Sequence, residues 1–432
     1  MIKKLYLLAL LGIMAGFTSP PKKSKLQAKV EALAEQVEAK TIEWRHHLHQ
    51  NPELSNREFK TAEYIAAHLK SLGLEVQTNV AKTGVVAILK GGKPGPVVAL
   101  RADIDGLPVL ERVESPWKST AIGEYNGNKV PVMHACGHDT HIAILMGAAE
   151  VLTKVKSELK GTVKFIFQPA EEGAPKGEEG GAKLMVKEGV LKNPDVEAIF
   201  GLHIASGTHV GQINYKPGGI MASSNSFEII IHGKQAHGSR PWSSIDPIVT
   251  AAQIINNAQT IVSRNMPLTK EAAVVTFGSV HGGVRSNIIP EEVKLVGTIR
   301  ALDNDMRDKI FERLKTIAIK TGESNGATVD INIHEGYPIT FNDVDLTAKM
   351  LPTLQSVVGT DNVKLVPAVT GAEDFSFFQR EVPGFYFFLG GTPVNVKPKD
   401  APSHHTPDFY VEDDALVIGI KAMSRLVVDY SM

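Results

Sequence analysis

Leu26, Val30, Leu33 and Val37 recur at the three-to-four-residue spacing of one helical face, so an amphipathic helix is expected there. Phe59, Ala62, Ile65, Ala66 and Leu69 repeat the pattern, with Ser55 and Glu58 ahead of them as a capping box and Gly73 behind as a stop. Four apolar runs follow, Val85–Leu89, Val97–Leu100, Val163–Phe167 and Ala198–Leu202, separated by helical stretches such as Ile142–Val155. Short buried runs alternating with helices predict an α/β layer with a mixed, mostly parallel sheet flanked by helices.

From about Gly219 the order changes. Phe227–Ile231 reads as a strand, Asp246–Val262 as a helix, Val274–Phe277 and Val293–Ile299 as strands, Asp305–Thr321 as a helix and Val329–Ile333 as a strand. This β-α-β-β-α-β order is that of a ferredoxin-like α+β unit. The buried strand Phe385–Leu389 and an apolar helix from Asp414 to about Val428 then return to the first layer. The expected organisation is a catalytic domain made of residues 25–218 and 334–432, interrupted by an inserted lid domain, residues 219–333.

The start of the chain, Met1-Ile-Lys-Lys and then an apolar stretch from Leu5 to Phe17, has the form of a secretory signal peptide, here about residues 1–20. That reading predicts an exported protein, periplasmic or secreted, with no stable membrane span once the signal is removed. At 432 residues two domains are the default, and 46 Lys+Arg against 47 Asp+Glu, with no long run of one sign, leaves no footprint for nucleic acid. The expected partner is a small molecule. An exported chain would use cysteines in pairs, yet this one has a single Cys, Cys136.

Cys136 lies in Met133-His-Ala-Cys-Gly-His-Asp139, which sets a thiol and the imidazole of His138 two residues apart around Gly137. Both could reach one metal, although a Cys-x-His pair alone can equally be a buried cysteine beside a surface histidine. Glu171 and Glu172 follow the strand ending at Phe167-Gln168, where open α/β sheets place their ligands. One carboxylate there can bind a metal while its neighbour serves as general base. His203 follows the run Ala198–Leu202, and Asp103 follows Val97–Leu100, where it could hold a ligand histidine in its working tautomer or pair with Arg101. The loop Ser403-His-His-Thr-Pro-Asp-Phe409 supplies His404 and His405, one of them a candidate last ligand. Five strand-to-loop junctions that each offer Cys, His, Asp or Glu point jointly to a metal site.

The motifs Arg101-Ala-Asp-Ile-Asp, Met133-His-Ala-Cys-Gly-His-Asp, Gln168-Pro-Ala-Glu-Glu-Gly and Gly201-Leu-His resemble those of the amidohydrolase branch of the aminoacylase/carboxypeptidase metallopeptidase family, which includes hippurate and indole-acetyl-amino-acid hydrolases. The resemblance covers nearly all of the chain after the signal. It implies hydrolysis of the amide of N-acyl amino acids (acetyl, benzoyl or aryl-acetyl), with an exported carboxypeptidase or dipeptidase as the alternative. It implies two divalent cations per subunit held by Cys136, His138, Glu172, His203 and His405, with Glu171 as general base and Asp103 as the orienting carboxylate. His405-Thr-Pro407 fits the family pattern better than His404 does. Other branches carry His-x-Asp where this chain has Arg101-Ala-Asp103, so His138 takes over as ligand. A thiolate favours zinc, whereas mixed carboxylate and imidazole sites accept manganese, cobalt or nickel. In the inserted domain the resemblance makes His237 an oxyanion donor that reaches across a homodimer interface, and Asn287 and Arg300 carboxylate-binding residues.

Overall fold

The computed structural model describes residues 23–432; the expected signal peptide lies outside the described residues. Among the described residues no helix is long and apolar enough to cross a membrane. The chain forms an eight-stranded sheet in the order Glu75–Val80, Gly84–Lys90, Lys160–Gln168, Lys93–Asp103, Ala198–His209, Gly384–Thr392, Ile213–Tyr215, Val363–Leu365. Its four central strands run parallel, and both flanks include antiparallel pairs. Parallel strands must be covered on both faces, which explains the unbroken apolar runs in the sequence.

The helices His138–Lys154 and Ala415–Tyr430 cover one face of this sheet, and Lys25–Gln50 packs across both of them. His138–Lys154 is buried from its first residue through Leu152, so its apolar run has no polar face to reveal a helical period. On the opposite face, Ala182, Met185, Phe375, Phe378 and Tyr386 pack against Ile166 and Ile199.

The second unit is a four-stranded antiparallel sheet in the order Ala273–His281, Glu292–Ala301, Asn225–His232, Thr328–Glu335. The helices Pro247–Thr260 and Asn304–Ser324 pack on it around Phe227, Ile229, Ile254, Leu295, Ile310 and Leu314. Connectivity and strand order are those of a ferredoxin-like α+β fold. Its two connections to the large sheet run side by side: Gly218–Met221 pairs with Thr340–Asn342, Ser224 N–H donates to the Tyr337 carbonyl at 2.9 Å, and Gly336 N–H donates to the Ser224 carbonyl at 2.9 Å.

Two local expectations differ. Helix Phe59–Ser71 has Glu58 at its N-cap with no side-chain cap, so Ser55 and Glu58 form no capping box. Ser55 Oγ instead donates to Asp105 at 2.6 Å, while Glu58 accepts from Thr83 Oγ and from the amide of Ala170. Both side chains are used to brace the loop that carries the paired glutamates. The strand expected to stop at Leu202 runs on to His209, because its pairing with Gly384–Thr392 continues past His203. Its other edge is last paired at Gly201, beside Arg101, and beyond that point it opens onto the site.

Candidate metal centre and active site

The parallel strands deliver their C-terminal ends to one edge, where the site is assembled. Gly137 adopts φ +91° ahead of helix His138–Lys154, and a Cβ there would stand 2.4 Å from Ile204 Cγ2. Only glycine permits this bend, which turns the Cys136 and His138 side chains inward. The loop after Gly384–Thr392 is tied down where His405 N–H donates to the Ala135 carbonyl at 2.8 Å.

Cys136 Sγ lies 3.3 Å from His203 Nε2 and 3.3 Å from His405 Nε2, which in turn lies 3.2 Å from Glu172 Oε1. His138 Nε2 stands 3.9 Å from an oxygen of Glu171 and 3.9 Å from one of Glu172. Metal–nitrogen and metal–sulfur bonds of about 2.0–2.3 Å at tetrahedral angles put ligand atoms about 3.3–3.7 Å apart, close to the spacing here. His138 Nε2 is buried without a hydrogen-bond partner. Buried polar atoms left unmatched are costly, and a cation among them removes that cost.

Ring tautomers sort the histidines into two kinds. His203 Nδ1–H donates to the Ile204 carbonyl at 2.6 Å, so its Nε2 lone pair faces Cys136 Sγ and can ligate. His404 has both nitrogens engaged: Nε2 accepts from the Ser206 amide at 3.1 Å and Nδ1–H donates to the Cys136 carbonyl at 3.2 Å. It therefore buttresses the loop, and His405 is left as the ligand-competent member of the pair. His141 is committed in the same way, accepting from the Ile204 amide at 2.8 Å and donating to Asp103 at 2.5 Å.

The carboxylates are shared in an order that sequence did not reveal. Asp103 is bound by His141 and by Arg101 Nη1 at 2.7 Å, and stands 3.7 Å from His138 Nδ1. Asp105 is the nearer partner of His138, at 3.3 Å, and also accepts from the amides of Glu171 at 3.1 Å and Glu172 at 3.0 Å. One buried carboxylate thus orients a ligand histidine and fixes the backbone of both glutamates. Arg101, fully buried, further donates to Glu373 at 2.9 Å and Asp374 at 3.0 Å. Glu171, Glu373 and Asp374 have oxygens within 4.8 Å of one another.

Electrostatics follow from this crowding. Burial, then Glu373 and Glu172, push the Glu171 carboxyl well above the usual carboxylate range. Burial and the charges of Glu172 and Glu171 also raise the Cys136 thiol well above its ordinary value, so a thiolate there calls for a cation beside it. Burial, aided by His141 and His404, keeps His203 neutral, the form a metal requires. His138 goes the other way: burial opposes its charge, but Asp103 and Asp105 raise it to about 10.

A cavity of about 540 Å³ opens beside this cluster. Cys136, Glu171, Glu172, His203 and His405 line it together with an apolar wall formed by Ile204, Met221, Val366, Val369 and Phe388. His237, Asn287 and Arg300 are not among its lining residues. His237 and Asn287 are exposed neighbours in the inserted domain, where Gly238 N–H donates to the Asn287 carbonyl. His237 Nδ1 accepts from the Ser239 amide at 3.0 Å, which leaves Nε2–H facing outward as a donor. Arg300 lies on the strand Glu292–Ala301, its Nη1 buried without a partner.

Sequence reasoning passed over Asp105, His141, Glu373, Asp374 and Tyr337. His141 sits three residues after His138 on the same helical face, a readable signal. Glu373 and Asp374 come from the loop ahead of the short helix Ser376–Gln379, and only the fold brings them to Arg101.

Residues 99–429 match the family described as Peptidase family M20/M25/M40. The chain is 39% identical over 408 residues to thermostable carboxypeptidase 2 of Saccharolobus solfataricus, covering 94% of this chain and 99% of that protein. It is 36% identical over 389 residues to N-acetylcysteine deacetylase of Bacillus subtilis, covering 90% and 96% of the two chains. Among solved structures, a dinuclear metal binding peptidase of the M20 family from Bacillus subtilis superposes with a TM-score of 0.76 at 33% identity, over 91% of this chain and 98% of that one. This chain belongs to peptidase family M20/M25/M40 and is a metal-dependent hydrolase of amide or peptide bonds.

Proposed function

We propose that the protein hydrolyses N-acyl amino acids to a carboxylic acid and a free amino acid. The observation that carries this reading is Glu171, buried beside the metal-type ligand atoms of Cys136, His138, Glu172, His203 and His405, with His138 Nε2 unmatched, at the edge of an apolar cavity. These five residues would hold two divalent cations, zinc or manganese, with cobalt or nickel as substitutes. When bound, the cations supply Lewis acidity, polarising the amide carbonyl and acidifying a water molecule.

The protein's own groups do the rest. Glu171 accepts the proton of the attacking water and returns it to the departing amine; its raised proton affinity, from burial and from Glu373 and Glu172, suits a carboxyl that must hold a proton between the two steps. Asp105 keeps Glu171 and His138 in register through the contacts already described. The apolar wall carries no lysine or arginine, so it suits the uncharged acyl half of the substrate. The amino acid carboxylate would be met by Asn287 and Arg300, and the developing oxyanion by Nε2–H of His237 from the partner subunit of a homodimer.

The carboxypeptidase relative favours a second reading, cleavage of a C-terminal amino acid from short peptides. Assays with acetyl-, benzoyl- and indole-acetyl-amino acids beside dipeptides separate the two. Glu171→Gln should lower kcat by about 100-fold or more with metal content unchanged. Retained activity would remove Glu171 from the role of base.

A further inference from the structure

The loop carrying the general base is held in a conformation that its own residues disfavour. Ala170 has φ +52°, in the left-handed region where a residue with a Cβ is strained. Such a backbone persists only where its surroundings hold it. On one side the hold comes from Glu58, which accepts from the Ala170 amide at 2.8 Å, and from Asp105, which accepts from the Glu171 and Glu172 amides. These contacts secure only the N–H groups.

The carbonyl of Glu171 is secured by Tyr337, whose hydroxyl donates to it at 2.6 Å. Tyr337 belongs neither to the large sheet nor to the inserted one. It lies between strand Thr328–Glu335, the last of the inserted domain, and strand Thr340–Asn342, which returns to the large sheet. Its own carbonyl accepts from Ser224 in the outgoing connection. The ring packs edge-on against Phe377, with centroids 6.1 Å apart, and the residue also lines the cavity.

We propose that Tyr337 is a positioning residue, which ties the backbone of Glu171 to the crossing between the two domains and thereby sets the direction of the general base. The inference rests on Glu171 being that base. The hydroxyl reaches the loop from the side opposite Asp105, so the peptide unit after Glu171 is fixed at its oxygen as the preceding one is at its nitrogen.

Tyr337→Phe removes one oxygen and keeps the ring. On metal-loaded enzyme with a hydrolysed N-acyl amino acid, kcat should fall about fivefold, the scale of one lost hydrogen bond, while KM stays within about twofold and metal content is unchanged. Hydrogen exchange of the full protein should rise in the peptide spanning Ala170 and Glu171 and stay as in wild type across the inserted sheet. Unchanged kcat, a change confined to KM, or unchanged exchange in that peptide would overturn the proposal. Glu171→Gln is run in parallel: if that variant keeps its activity, the base assignment falls and the tie positions nothing. If it is inactive while Tyr337→Phe matches wild type, only the role of Tyr337 falls.

Discussion

Replacing Arg101 by methionine tests how the site holds its charge. The guanidinium is 1% exposed and makes four bonds: to Gln168 at 2.7 Å, Asp103 at 2.7 Å, Glu373 at 2.9 Å and Asp374 at 3.0 Å. Methionine fills much of the same space but leaves three buried carboxylates without their cation. Removing one partner of a buried ion pair costs about 3–5 kcal/mol, so stability should fall by at least that order. The pH dependence sharpens the test. In the wild type, burial works to raise the Asp103 carboxyl, but His138, His141 and Arg101 outweigh it and hold it well below the usual range, so its stabilisation is present above about pH 4 and lost below. Asp374 is raised well above its ordinary value, chiefly by burial, with Arg101 pulling the other way. Without Arg101 the Asp374 carboxyl rises further and Asp103 loses one of its cationic neighbours, so the folded variant binds more protons than the folded wild type and loses stability relative to it as pH increases. The deficit against wild type should therefore be larger near about pH 8 than near about pH 5.5. Urea unfolding of metal-free protein, followed by the fluorescence of Trp44, Trp117 and Trp242, measures it. A deficit below about 1 kcal/mol, or one that grows toward acid pH, would refute the reasoning.

Two further experiments separate residues that sequence left adjacent or remote. His405→Ala should lower metal affinity and activity together, whereas His404→Ala, which removes a loop buttress, should chiefly reduce thermal stability; equal metal loss in both, read by elemental analysis, would contradict the tautomer argument. If His237 serves the partner's site, co-expressed Glu171→Gln and His237→Ala chains should recover about a quarter of wild-type activity, because half the dimers are mixed and each has one complete site. Activity no higher than the sum of the two homodimers would place His237 outside the reaction.

Much of the architecture was legible because burial leaves a strong mark. The central strands carry apolar runs such as Val97–Leu100 and Ala198–Leu202, the inserted unit alternates with clear periods, and Gly73 stops its helix at φ +75°. No capping box forms because Ser55 binds Asp105, 50 residues on, and Glu58 binds the glutamate loop, 112 residues on. The ligand-type residues carried a signal through their residue types alone. Asp105, Glu373 and Tyr337 did not, since acids and tyrosines are common on surfaces and only long-range folding brings them to Arg101, Glu171 and His138. Telling His404 from His405 needed hydrogen-bond partners, and no pattern of residue types contains those.

Metal titration of chelated wild-type and Cys136→Ser protein, with N-acyl amino acid hydrolysis followed at each addition, asks whether a metal-dependent hydrolase uses its lone cysteine as a ligand. Metal-free wild type should be inactive and recover fully at about two equivalents per chain, and Cys136→Ser should need a large excess of metal. Full activity in metal-free protein, or the same titration curve for wild type and Cys136→Ser, would contradict that role.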